Sequence, residues 1–130
     1  MVNIVVDTSV IIDGIRSDGG LWLKLKNMAM GDRARLVCPV VVITELWAGQ
    51  SMAKPGAVKV VVNMLQIMKI VDVDVVVAKV AGGLIRKYGL VGFDAVVAAI
   101  CVEEKAFLAT LNTRHFKNID GLKLYKDENN

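Results

Sequence analysis

Short runs of β-branched and other apolar residues alternate along this chain with longer segments of helical periodicity, and that alternation restricts the fold more than any other feature. The runs read as strands near 3–6, 35–38, 69–72, 106–109 and 122–125. Helices fit near 8–15, 20–30, 39–48, 55–68, 75–88 and 93–105, with a short turn at 113–118. Strands that alternate with helices favour a layered α/β fold with a parallel sheet. No linker, low-complexity stretch or internal repeat interrupts the 130 residues, so a single domain over 1–130 is expected.

Several boundaries have local causes. Asp74 can cap the helix that follows it, and Gly89 can end that helix after the basic pair Arg86-Lys87, which suits the negative end of the helix dipole. Pro39 fits the first turn of the next helix upstream in the chain, and Gly49 fits its end. The Val40–Ile43 run is β-branched, which lowers helix propensity. A strand already precedes it, however, and Glu45-Leu46-Trp47-Ala48-Gly49 continues as a helix terminus, so helix is expected there.

An apolar fraction of 55 % excludes a disordered chain. The longest unbroken apolar run, Ala95 to Val102, is too short to span a bilayer. With no basic segment and long apolar stretch at the N-terminus, there is no sign of a signal peptide, and a soluble cytoplasmic protein is expected. Cys38 and Cys101 sit in apolar segments without CxxC spacing and are expected as reduced core thiols. A single histidine argues against a zinc site. The net charge of +3, with no Lys/Arg tract, is compatible with a polyanionic partner and argues nothing further.

Asp7 ends the apolar strand Asn3-Ile4-Val5-Val6 and is followed at once by Thr8-Ser9 opening a helix. A buried carboxylate costs free energy, and ligands gather at the carboxyl ends of strands in sheets flanked by helices. Helical spacing tests which other acids face inward, because positions i±3 and i±4 share a face. Glu45 shares its face with Val41, Val42, Ala48 and Gly49, and Asp94 with Val97, Ala98 and Cys101. Asp74 passes the same test, through Val77, Ala78 and Ala81, but a capping role accounts for it. Asp13 shares a face with Ser9, Arg16 and Ser17 and is expected on a solvated surface. Asp18, Asp32, Asp72 and the Asp127-Glu128 tail read as turn or surface charges. Carboxylates buried together raise each other's pKa. A divalent ion that prefers oxygen ligands, Mg²⁺ or Mn²⁺, relieves this and activates water for phosphodiester hydrolysis. Spacing alone does not choose among the acids.

Motif order does. Val5-Val6-Asp7-Thr8-Ser9-Val10-Ile11-Ile12, Val42-Ile43-Thr44-Glu45-Leu46-Trp47-Ala48-Gly49, Gly92-Phe93-Asp94-Ala95-Val96-Val97-Ala98-Ala99 and Leu108-Ala109-Thr110-Leu111-Asn112-Thr113-Arg114-His115-Phe116 follow one another over nearly the whole chain. In that order they resemble PIN-domain ribonucleases, especially the VapC-type toxins of prokaryotic toxin–antitoxin pairs. Arg86-Lys87-Tyr88-Gly89 also resembles the toxins. The resemblance implies a Rossmann-like three-layer sandwich, with a mainly parallel sheet of about five strands and helices on both faces. It implies Mg²⁺- or Mn²⁺-dependent cleavage of RNA by an activated water, with Asp7, Glu45 and Asp94 as metal ligands. Thr8, Ser9 or Thr110 would hydrogen-bond those ligands from behind. Family members often carry an acid where this chain has Asn112, whose amide adds no charge but can orient water or phosphate. One well-held ion is therefore expected before two.

Other polar and aromatic residues read more simply. His115 lies in a polar turn beside an apolar anchor and is expected to be structural. Arg114, Arg33, Arg35 and Lys24 could meet RNA phosphates but read as scattered solvent-facing charges. Trp22 and Trp47 could stack on bases, though core or interface packing is expected. The helix near 55–68 is apolar around most of its circumference and should be buried, against its own sheet or a second subunit. The resemblance further implies a homodimer and a small antitoxin partner that fills the catalytic groove. A non-enzymatic module with an incomplete acid set is the alternative that Asn112 leaves open. A receiver-type phosphoacceptor needs an acidic pair after the first strand, and a haloacid-dehalogenase-type phosphatase needs an aspartate where Ser9 stands.

Overall fold

A computed structural model describes residues 1–17 and 19–127, so the expectations for Asp18 and Glu128 lie outside the described residues. Five strands, β1 (Val2–Val6), β2 (Ala34–Pro39), β3 (Lys69–Val71), β4 (Phe107–Ala109) and β5 (Lys123–Leu124), form one sheet. Its order is β3-β2-β1-β4-β5, and every pairing is parallel. The helices are α1 (Thr8–Arg16), α2 (Gly20–Met30), α3 (Val40–Ala48), α4 (Ala57–Gln66), α5 (Val75–Tyr88) and α6 (Gly92–Glu104). The expected α/β class, strand count and helix placement are what the structure contains.

The chain winds outward from β1 through β2 to β3, then crosses back to β4 and β5 on the other side of β1. Right-handed crossovers put the outbound and returning connections on opposite faces of such a sheet. Accordingly α1 packs with α2 and α4, while α5 packs with α6 and α6 lies against β1, β2 and β4. Ile4, Val5 and Val6 are all fully buried, although successive side chains of a strand point to opposite faces. Only a sheet covered on both sides does that. The reversal of winding between β1 and β4 leaves a crevice at the carboxyl ends of those two strands, where a doubly wound sheet binds its ligands.

Local chemistry sets the boundaries. The Asp74 carboxylate accepts a hydrogen bond from the Val77 N–H at 2.8 Å, and Gly89 takes the left-handed conformation that closes α5. Pro39 differs from its expected place: it is the last residue of β2 and precedes the first turn of α3. Gly14 sits inside α1 because a Cβ there would come within 2.8 Å of the Trp22 Cβ and Cγ. Its absence lets α1 and α2 close over a buried Trp22.

Trp47 is 47 % exposed, so of its two expected packing roles the core one is ruled out. Helix α4 buries Ala57, Val61 and Met64 against α1, the 3₁₀ turn Gln50–Ala53 and β3 but leaves Val58, Val60 and Val62 exposed, so only one of its faces is covered. Cys38 and Cys101 are buried free thiols, and burial pushes both upward in pKa, Cys38 to about 12. Among the described residues no helix is long and apolar enough to cross a membrane.

Candidate functional site

Asp7 is the first residue after β1 and stands at the head of α1, with only 5 % of its surface exposed. Its backbone N–H donates to the Ala109 carbonyl at 3.0 Å, which continues the β1–β4 pairing to the point where the carboxyl group begins. Two hydroxyls hold that carboxyl: Ser9 Oγ donates to Oδ2 at 2.9 Å and Thr110 Oγ1 donates to the same oxygen at 2.8 Å. Both hydroxyls also accept, Ser9 from the Leu111 N–H at 3.0 Å and Thr110 from the Asn112 N–H at 3.0 Å. The ends of β1 and β4 are thus tied by a polar mesh with the buried carboxylate at its centre.

Glu45 comes from α3 and Asp94 from the first turn of α6. Thr8 Oγ1 donates to Glu45 Oε1 at 2.9 Å, and His115 Nδ1 lies 3.0 Å from Asp94 Oδ2. Asp7, Glu45, Asp94 and Asn112 all line one open cavity of about 740 Å³, together with Thr8, Ser9 and His115. Thr110 lies buried behind the wall, on Asp7. Every residue proposed from the sequence is therefore in this cavity or in hydrogen-bond contact with it.

Burial raises the Glu45 carboxyl above the usual carboxylate range; the Thr8 hydrogen bond works against that rise, and the charges of Asp7 and Asp94 add to it. Burial likewise raises Asp94, opposed by the charge of His115 and increased by that of Asp7. Burial is the larger cause in both, and like charges sharing one concave site add to it. The three acids offer oxygen donors, the chemistry that Mg²⁺ and Mn²⁺ favour over softer ions. Among the described residues no three acidic, histidine or cysteine side chains are already drawn together as a metal shell. The cavity presents the acids around its wall.

Two sequence expectations need correction. His115, expected to be structural, faces the cavity against Asp94. Asp13, expected on a solvated face, lines the cavity with Arg16. The signal was available: Asp13 and Arg16 share a helical face with Ser9, and Ser9 is hydrogen-bonded to the central carboxylate. Asn112 combines two roles, since its carbonyl accepts from the His115 N–H at 3.1 Å to start the 3₁₀ turn Thr113–Phe116, while the residue itself lines the cavity.

Comparison with known proteins gives a consistent result. The family profile described as PIN domain matches residues 4–122. No curated protein matches the chain. Among solved structures, the chain is similar to one of VapBC2 from Rickettsia felis bound to a DNA fragment from their promoter, at 22 % identity and a TM-score of 0.80, covering 95 % of this chain and 97 % of that one. DNA-bound VapBC from Salmonella typhimurium is similar at 23 % identity and a TM-score of 0.78, over 96 % and 98 % of the two chains. A toxin–antitoxin complex from Klebsiella pneumoniae is similar at 21 % identity and a TM-score of 0.72, over 95 % and 98 %.

Proposed function

This chain belongs to the PIN-domain family, and on that premise we propose that it is a Mg²⁺- or Mn²⁺-dependent endoribonuclease, the VapC-type toxin of a toxin–antitoxin pair. The reading rests on the placement of Asp7, Glu45 and Asp94, from three separate parts of the chain, around one open cavity at the carboxyl ends of β1 and β4. Asp7, Glu45 and Asp94 would hold the ion. When bound, the ion supplies an activated water and neutralises charge on the attacking and leaving oxygens of the phosphodiester.

The chain's own residues prepare the site. Ser9 and Thr110 fix one oxygen of Asp7, Thr8 fixes one oxygen of Glu45, and His115 sits against Asp94. Partners of this kind set ligand orientation and are worth about 10–100-fold in metal affinity. Asn112 places a neutral amide at the rim, where it can orient phosphate or water without adding charge.

A small antitoxin, a homodimer and a cytoplasmic location belong to the same proposal. Relatives of similar fold were solved as VapBC complexes, and the exposed Val58, Val60 and Val62 of α4 leave an apolar face for association. Light scattering at micromolar concentration that finds monomer alone removes the dimer. The nuclease test is RNA cleavage in Mg²⁺ or Mn²⁺ by the protein and by Asp7→Asn and Asp94→Asn. Both variants should keep their far-ultraviolet circular dichroism and lose cleavage by at least about a hundredfold. Undiminished cleavage by both refutes the assignment. Absence of any Mn²⁺ binding by calorimetry favours instead a non-catalytic binding module, the reading that Asn112 supports.

A further inference from the structure

We propose that Arg16 grips a flanking phosphate of the RNA, beside the bond that is cut; the inference rests on the nuclease reading of the same cavity. Among the described residues, four carboxylates line that cavity, those of Asp7, Asp13, Glu45 and Asp94, and Arg16 contributes one guanidinium. A polyanion cannot approach such a wall without cations. A divalent ion would serve the acids at the head of α1, but Asp13 and Arg16 lie at its far end.

Position separates the two anion contacts. Arg16 stands eight residues beyond Thr8, about 12 Å along the helix axis. The side chain leans back toward the start of α1 and spans part of that length, which puts the guanidinium within reach of a phosphate beside the one at the acids. Arg16 is exposed, and no described side chain takes a hydrogen bond or an ion pair from it. Other basic residues stand outside this cavity: Lys24 pairs with Asp127, Arg35 lines a separate hollow beside Met1 and Met30, and Arg114 lines an adjoining hollow that shares Leu111, Asn112 and His115 with it. A guanidinium also suits the role, since its planar fork matches two phosphate oxygens at once and an ammonium does not. In the last turn of α1, Arg16 complements the helix dipole too, a function that lysine fills equally well.

The assignment is tested by equilibrium binding of a short fluorescein-labelled single-stranded RNA, read by anisotropy in Mn²⁺. An Asp94→Asn background prevents cleavage. Adding Arg16→Ala should weaken binding about tenfold, and the slope of log K against log salt should fall by about 0.7. Arg16→Lys should keep the parent's melting temperature yet bind more weakly than arginine, which a purely structural role would not produce. In the cleaving protein, Arg16→Ala should raise KM about tenfold and leave kcat within about twofold. On a dinucleoside monophosphate, which has no flanking phosphate, it should change nothing. Unchanged affinity and salt slope overturn the proposal, as does an equal loss on the dinucleoside monophosphate. If the protein cleaves no RNA while binding still depends on Arg16, the nuclease reading and the place beside a cut bond both fail, and only a phosphate contact in this cavity is left.

Discussion

Replacing Thr110 with valine removes one oxygen from the centre of the site and keeps the branched shape. Thr110 is buried, its Oγ1 donates to Asp7 Oδ2 at 2.8 Å, and it accepts from the Asn112 N–H at 3.0 Å. A hydrogen bond to a charged acceptor is worth about 1.5–3 kcal/mol. The Asn112 N–H belongs to an exposed residue, so water replaces its partner at little cost. The methyl gained by valine returns roughly 0.8 kcal/mol of burial. The net loss is about 1–2 kcal/mol, which for a domain of this size lowers the melting temperature by roughly 4–8 °C. Thermal melts followed by circular dichroism in EDTA measure it. The same substitution on an Asp7→Asn background should cost about 1 kcal/mol less, because the acceptor is no longer charged. If the two losses add to within about 0.3–0.5 kcal/mol, Thr110 does not act through Asp7 and the argument is refuted. Mn²⁺ affinity should fall with Thr110→Val by about 10–100-fold.

Two further outcomes follow from charge and from packing. Glu45 has its carboxyl raised by burial and by Asp7 and Asp94, so the folded chain binds that proton more tightly than the unfolded chain does. Stability from this group is full below its unfolded pKa and is lost as pH rises through the folded value. At neutral pH the ionised acid therefore costs stability, and Glu45→Gln should raise the metal-free melting temperature, by no more than about 3 °C given its partial exposure. The same variant should lose the stabilisation that Mn²⁺ gives the parent, about 2.7 kcal/mol at a hundredfold excess over Kd; a lower metal-free melting temperature contradicts the sign. Gly14→Ala tests packing: the gain of roughly 0.5–1 kcal/mol in helix propensity should be outweighed by the Cβ meeting Trp22 at 2.8 Å. A net loss of about 1–2 kcal/mol in urea unfolding is expected, and any gain in stability rejects that contact.

Much of this architecture is readable from periodicity because its signals are local. Asp74 and Gly89 mark the ends of α5 by capping chemistry that needs no tertiary contact, and the buried β1 announces itself as Ile4-Val5-Val6. Asp94 faces inward as helical spacing requires, since Val97, Ala98 and Cys101 on its face are all buried. Facing apolar neighbours could not separate Asp74 from Asp94, because a cap and a ligand satisfy the same test. What remained illegible depends on where a concave surface falls. Ser9, Asp13 and Arg16 form a polar stripe on α1, and a polar stripe looks the same whether it meets bulk water or the wall of a cavity. His115 reaches Asp94 only because the turn after β4 passes beside the start of α6. No spacing within either segment encodes that contact.

The tripeptide Asp7-Thr8-Ser9 shows why the acid alone would not make the site. Successive residues at the head of a helix turn by about 100°, so three neighbouring side chains leave in three directions. Asp7 enters the cavity, Thr8 reaches across to Glu45 on α3, and Ser9 turns back to Asp7 and to the Leu111 N–H after β4. One turn of chain therefore ties the end of β1 to both of its neighbours. Asp94 lacks a partner in this tripeptide and is met instead by His115, from the loop after β4. The segments that follow β1 and β4 thus supply the anchors Thr8, Ser9, Thr110 and His115, while α3 and α6 deliver two of the three charges. Each acid is held to its own section of wall, and among the described residues no three converge unaided. Like charges in a partly desolvated cavity oppose convergence, and the hydroxyl anchors keep them presented without forcing them together. On the proposed reading, a bound divalent cation would offset the cost of bringing the three carboxylates together.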